Sequence, residues 1–188
     1  MEYILGRMMQ VNLLNNDLEA SYKDALADIG YDLEELYDEE IDINLGYGVL
    51  GRIAADSIDS LCAKNVPCWA YGLRYDYGIF RQDLVDFEQV EVPDYWLEKG
   101  NPWEIERSDM VYKIRMYGHV TKVKHEDPAK KAHGDKCLWE GGELMVATAY
   151  DMPVTGYNTF NTNNLRLWRS RPCDNYHESM YEGDPEYY

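Results

Sequence analysis

Gly46, Gly48 and Gly51 stand at G-x-G-x-x-G spacing in Gly46-Tyr47-Gly48-Val49-Leu50-Gly51-Arg52, directly before an apolar helical segment. Glycine admits positive φ and has no Cβ to keep a ligand away from the backbone. A helix opening just after such a loop aims unsatisfied N–H groups and a partial positive charge at whatever lies there. The chemistry this supports is anion binding, with phosphate the expected guest.

A dinucleotide fold is the nearest generic source of this motif. Asp76 lies 25 residues after Gly51, not far from the ~20 expected of a ribose-binding acid. Two features oppose it. The preceding segment Ile41-Asp42-Ile43-Asn44-Leu45 is not a continuous apolar run, and Val49 puts a β-branched side chain inside the turn. Alone, the motif fits a nicotinamide site, another phosphate site or a purely structural loop.

Helices and strands must position this loop. Met1 to Leu18 reads as a helix, or a strand running into one. Leu18, Tyr22, Ala25, Leu26 and Ile29 then form a helical stripe that Gly30 stops. Asp32 to Asp42 holds seven acids in eleven residues, the pattern of a solvated helix face. After the loop, Ile53, Ala54, Ile58 and Leu61 predict a helix from near Arg52 to Lys64-Asn65. Val66 to Tyr75 predicts a buried strand, and helix followed by strand is half of a parallel α/β unit. Asp94 to Leu97 opens a short helix closed by Gly100-Asn101-Pro102. Val111 to Lys122 alternates as one half-exposed strand, and Lys124 to Lys136 is a lysine-rich hairpin loop. Glu143 to Tyr150 is a second buried strand, Asp151 to Tyr157 turns the chain, and Asn164 to Trp168 is another strand before an acidic tail.

The 188 residues suit one ordinary domain, and 45% hydrophobic residues are enough for a core. Tyrosine outnumbers phenylalanine 17 to 3, rings that suit core edges or carbohydrate contacts. A formal charge of −17 argues against nucleic acid or an anionic membrane as partner. No run reaches the ~18 apolar residues of a membrane span. Cys62, Cys68, Cys137 and Cys173 lack C-x-x-C spacing and no metal-ligand set is evident, so they read as free thiols of a reducing cytoplasm.

The wider context is more specific. Leu45-Gly46-Tyr47-Gly48-Val49-Leu50-Gly51-Arg52-Ile53-Ala54-Ala55 resembles the L-G-N-G-G-L-G-R-L-A-A loop of glycogen and starch phosphorylases. The likeness continues through Asp59-Ser60, Tyr71-Gly72-Leu73-Arg74-Tyr75, Tyr77-Gly78-Ile79-Phe80 and Gln82, then Asp94-Tyr95-Trp96-Leu97, Gly100-Asn101-Pro102-Trp103-Glu104 and Tyr117-Gly118. Tyr150-Asp151, Pro153-Val154, Gly156-Tyr157, Asn161-Thr162 and Leu165-Arg166-Leu167-Trp168 resemble P-Y-D-T-P-V-x-G-Y…N-T-x-R-L-W. Glu2-Tyr3 with Gly6-Arg7 matches E-F-x-M-G-R. The ordered set covers nearly all of the chain.

That resemblance implies an α/β fold: a portion of the Rossmann-like N-terminal domain of a GT-B-type glycosyltransferase, with a parallel or mixed sheet flanked by helices. It implies phosphorolysis of an α-1,4-glucan (glycogen or starch) by inorganic phosphate, releasing glucose 1-phosphate. Gly46, Gly48, Val49, Leu50 and Gly51 would face the substrate phosphate. The coenzyme would be pyridoxal 5′-phosphate, whose lysine lies in a C-terminal domain absent from residues 1–188; the catalytic groups lie mostly beyond Tyr188 too. Arg107 matches an arginine near the regulatory phosphate site, readable as an effector contact or as a surface charge. A homodimer in the cytoplasm is the implied setting. The family's Asn and third Gly are here Tyr47 and Val49, a cofactor-side Tyr is Ile4 and an Arg is Asn158. Val49 would then need positive φ, and the pocket would be altered. A non-catalytic glucan-binding or subunit-pairing module and a nucleotide oxidoreductase are the competing classes.

Overall fold

The computed structural model describes residues 2–123 and 136–173. The lysine-rich loop therefore lies almost wholly outside the described residues, as does most of the acidic tail. The chain divides into two compact units. One comprises Met1–Arg107 with Ala149–Arg169, the other Ser108–Thr148 with Ser170–Tyr188.

The first unit opens with β1 (Glu2–Tyr3), which leads into α1 (Leu5–Asn15), α2 (Glu19–Asp28) and α3 (Leu33–Glu39). α1 buries Leu5, Met8 and Leu13. α2 buries none of its residues, so the stripe expected there is real in spacing but half-exposed. The acidic stretch is a capped, solvated helix: the Asp32 carboxylate accepts from the Glu34 and Glu35 amides at 2.8 and 3.4 Å. β2 (Ile43–Asn44) pairs antiparallel with β1, setting Glu2 opposite Asn44.

α4 runs Val49–Ala63, three residues earlier than the start predicted near Arg52. Its buried face is Gly51, Ala55, Ile58 and Cys62, not the predicted Ile53, Ala54, Ile58 and Leu61. Of those four only Ile58 is buried, because the helix docks through its glycine and leaves the bulkier Ile53 and Leu61 outside. Asn65 in the left-handed region ends the helix as predicted.

β3 (Trp69–Leu73) pairs in parallel with β10 (Thr162–Pro172), Asn164 opposite Trp69 and Trp168 opposite Leu73. The strand predicted as buried over Val66–Tyr75 is shorter. It lies at one end of a four-stranded sheet ordered β3-β10-β9-β6, with Trp69, Tyr71 and Leu73 all more than half exposed. β4 (Gly78–Val85) and β5 (Glu88–Asp94) form a hairpin turned by Asp86 and Phe87, both at positive φ. The short helix predicted at Asp94–Leu97 is instead the end of β5 followed by a turn.

The strand predicted over Val111–Lys122 is two strands, β6 (Ile105–Met116) and β7 (His119–Val123), because Tyr117 takes φ 61°. β7 pairs antiparallel with β8 (Lys136–Glu140), His119 opposite Glu140, and the hairpin loop predicted between them lies outside the described residues but for Lys136. β9 (Glu143–Thr155) contains the second buried strand but continues through the turn predicted at Asp151.

The reason is a buried ion pair. Arg166 Nε and Nη2 on β10 donate to the two Asp151 carboxylate oxygens on β9 at 2.6 and 2.8 Å, both side chains under a tenth exposed. A second such pair joins Arg74 to Glu104, Nε to Oε2 at 2.9 Å and Nη2 to Oε1 at 2.5 Å. The Arg74 guanidinium lies 4.0 Å from the centre of the Tyr150 ring. Tyr3, Leu5, Met8, Ile43, Leu45, Ala55, Ile58, Trp96, Met152, Val154, Leu165 and Leu167 form the core.

Asn163 fixes the α4-to-β3 corner: its carbonyl accepts from the Cys68 amide at 3.0 Å and its amide donates to Val66 O at 3.2 Å. The four cysteines are free, and burial pushes the Cys62 thiol up.

Arg166 holds the Asp151 carboxyl below the ordinary aspartate range, against the opposing effect of burial. A depressed folded-state pKa stabilises the fold above the ordinary value, and that contribution is lost as pH falls through the lowered one. Asp151→Ala strands a buried guanidinium and is expected to lower unfolding free energy by about 3–5 kcal/mol. A urea midpoint within error of the parent would contradict this.

Candidate functional site

The glycine loop is set between β2 and α4. Ile43 and Leu45 are buried and anchor its start, and the Asn44 side chain, the polar residue that interrupted the apolar run, donates to Phe80 O at 3.1 Å. Gly48 caps α4 at φ 63°, ψ −134°, a combination open to glycine and strained for other residues. A Cβ on Gly51 would lie 2.8 Å from Gly46 Cα and 3.1 Å from Glu2 Cγ. The helix can start this close to the loop only because position 51 is glycine. Val49 is the first residue of α4 and is not among the residues at positive φ, so the strain predicted there is not found.

The first bond that closes α4 runs from Arg52 N to Gly48 O at 3.2 Å. The amides of Val49, Leu50 and Gly51 precede it and have no acceptor within the helix. The Gly48 amide donates to Glu2 Oε1 at 3.0 Å. A carboxylate therefore already sits on a donor of this loop. Sequence reading matched Glu2 to a family element but gave it no contact with the loop, because the two are 46 residues apart; the β1–β2 register brings them together.

Beside the loop is a cavity of about 390 Å³ lined by Glu2, Tyr3, Ile4, Asp42, Ile43, Asn44 and Arg52. Arg52 is the cation of this wall, with Nη2 2.6 Å from Asp56 Oδ1 one turn along. Burial raises the Tyr3 pKa, with Asp59 adding to the shift, so its hydroxyl stays protonated at neutral pH. Burial likewise pushes the Asp42 carboxyl up. Tyr47, Val49 and Leu50 point to solvent, each more than 70% exposed.

The structure thus joins Gly46, Gly48, Val49, Leu50 and Gly51 in one loop and first helical turn. Arg107 is not part of it. Its Nη1 donates to Asp151 Oδ2 at 3.0 Å, and the guanidinium is half-exposed at the edge of the buried pair.

Gly48→Ala and Gly51→Ala are each expected to cost about 1–3 kcal/mol, the first through backbone strain and the second through overpacking. Val49→Ala, at an exposed first-turn position, is expected to change the urea midpoint little. Equal effects at all three positions would show that the loop geometry is wrong.

Residues 26–187 match the family description Carbohydrate phosphorylase. Among curated relatives, glycogen phosphorylase 2 of Dictyostelium discoideum is 50% identical over 98% of this chain and 18% of the relative. Glycogen phosphorylase of Saccharomyces cerevisiae is 43% identical over 92% of the chain and 20% of the relative. The H isozyme of alpha-glucan phosphorylase from Solanum tuberosum is 46% identical over 91% and 19%. The chain thus spans about a fifth of the length of the relatives it matches. With the family description matched over most of its residues, this chain belongs to the carbohydrate phosphorylase family.

Proposed function

We propose that this chain supplies the phosphate-facing wall of an α-1,4-glucan phosphorylase, an enzyme that cleaves a glucan with inorganic phosphate and releases glucose 1-phosphate. The observation that carries this is the first turn of α4. Three amides without helical acceptors lie beside a fourth that already holds a carboxylate. Fixed N–H dipoles stabilise charge that develops on a phosphate without having to reorganise during reaction. The Gly48 amide would exchange the Glu2 carboxylate for a phosphate oxygen.

The sheet and α4 would form part of the N-terminal half of a GT-B-type fold. The family's coenzyme would be held by sequence outside this chain. A lysine that forms a Schiff base is activated by desolvation or a cationic neighbour. Among the described residues no lysine is buried, and Lys23 has its pKa raised by its hydrogen bond to Glu34. The described residues do not fit covalent attachment of pyridoxal 5′-phosphate. Arg107 would be an effector contact through its exposed edge, and a homodimer in the cytoplasm the working form. No helix among the described residues is long and apolar enough to cross a membrane.

Titration of this chain with inorganic phosphate, followed by amide chemical shifts, is expected to move the Gly48–Gly51 signals first. Shifts confined to other surfaces would overturn the assignment. The chain alone is expected to give no isotope exchange between phosphate and glucose 1-phosphate, and exchange is expected once the rest of a family chain is restored.

A further inference from the structure

The segment before β4 and the turn after β5 form a small groove of about 290 Å³, lined by Asp76, Tyr77, Tyr95, Leu97 and Glu98. It shares no lining residue with the cavity beside the phosphate loop. Two of its walls are rings. Tyr77 and Tyr95 stand edge to face, with centroids 5.5 Å apart and planes at 83°, so their faces make a near right-angled corner. Both rings are more than half exposed. Aromatic faces carry negative charge density and attract cations. Two further walls, Asp76 and Glu98, are carboxylates.

The groove holds more negative charge than the protein itself meets. Asp76 Oδ1 is paired with Arg169 Nη2 at 2.9 Å, whereas Glu98 enters no ion pair among the described residues. Nearby cations are engaged elsewhere. Arg81 Nε and Nη2 donate to the two Asp83 carboxylate oxygens at 3.1 and 3.0 Å, and Lys99 lines a different cavity. The walls are also fixed in place. Trp96 is buried and its Nε1 donates to Tyr75 O at 3.1 Å, tying the turn to the segment that carries Asp76 and Tyr77. Pairing of Gly78 with Asp94 sets Tyr77 beside Tyr95, and the Glu98 amide donates to Tyr95 O at 2.9 Å. Two carboxylates are too few oxygens for a hard dication, and no cluster of three or more metal-ligating side chains lies among the described residues. The corner instead suits a cation whose charge is spread over C–H groups.

We propose that this groove binds a quaternary ammonium group, seated in the corner of Tyr77 and Tyr95 and balanced by the Glu98 carboxylate. Such a group donates no hydrogen bond, so it loses nothing where one Asp76 oxygen is already taken by Arg169. The groove lies just below the ~300–1,000 Å³ usual for ligand sites, which limits it to a small headgroup. The inference goes beyond the phosphorylase reading and uses none of the residues that carry it.

The test is titration of the full 188-residue chain with choline at constant ionic strength, followed by amide shifts. The control is its uncharged isostere, in which a tert-butyl group replaces trimethylammonium. Saturating shifts over residues 76–77 and 95–98 are expected with choline and none with the isostere. Tyr95→Phe keeps the ring face and is expected to keep the affinity. Tyr95→Leu removes that face and is expected to weaken binding roughly two- to fivefold, the worth of one exposed cation–π contact. Glu98→Gln, at an exposed carboxylate, is expected to weaken it too, with the urea midpoint unchanged. Choline shifts confined to other surfaces, no saturation, an equal response to the isostere, or equal affinity in Tyr95→Leu and Tyr95→Phe would each overturn the groove. Phosphate shifts at Gly48–Gly51 would stand under any of these results, so failure of the groove is separable from failure of the phosphorylase reading.

Discussion

The approach of α4 to the glycine loop is the constraint from which the candidate site follows. Gly51 lies so near Gly46 that no side chain can enter between them. The helix therefore starts against the loop, its free amides beside Gly48 and the Glu2 carboxylate. Nothing in this arrangement depends on a charged side chain contacting the ligand. The donors are main-chain groups fixed by a helix, and the helix is fixed by Ala55, Ile58 and Cys62 in the core. A site built this way would tolerate replacements at Tyr47 and Val49, whose side chains lie in solvent. It does not tolerate a Cβ at position 51.

The platform under that helix depends on burying charge. An aspartate in the middle of a buried strand is expensive unless its charge is met within hydrogen-bonding distance. Arg166 meets it with two bonds, and Arg107 adds a third from β6. The same device recurs with Arg74 and Glu104, whose guanidinium also stacks on Tyr150. Asn163 then locks the corner leading from α4 into β3. Asp151 and Arg166 fall in stretches that resemble the family, and Asn163 stands between two of them. Their chemistry is structural, and it explains why a charged residue, Asp151, stands inside a strand where pattern reading expects a turn.

How much was legible in the sequence follows from which forces are local. The glycine spacing located the loop and the following helix, because positive φ and helix periodicity are short-range properties. The start of α4 was misplaced since Val49 was assigned to the turn, although a first-turn position suits it well. The buried face of α4 was misjudged because the helix docks through small residues, which hydrophobic periodicity undervalues. The turn expected at Asp151 failed for a non-local reason: its partner Arg166 lies fifteen residues on, across the sheet. Glu2 escaped notice as a loop contact for the same cause. The β4–β5 hairpin was missed because Asp86-Phe87 lacks the glycine or asparagine that marks such turns. Family resemblance bridged these gaps in identity but not in geometry.

The central claim is that the main-chain donors at the head of α4 bind an oxyanion of phosphate type. Its most direct measurement is a crystal of this chain soaked in arsenate, whose arsenic atom is located by anomalous scattering. The account predicts a peak with arsenate oxygens about 2.7–3.2 Å from the amides of Gly48 to Gly51, and the Glu2 carboxylate withdrawn from Gly48. An unchanged Glu2–Gly48 bond at arsenate concentrations that fill other surface positions would contradict it.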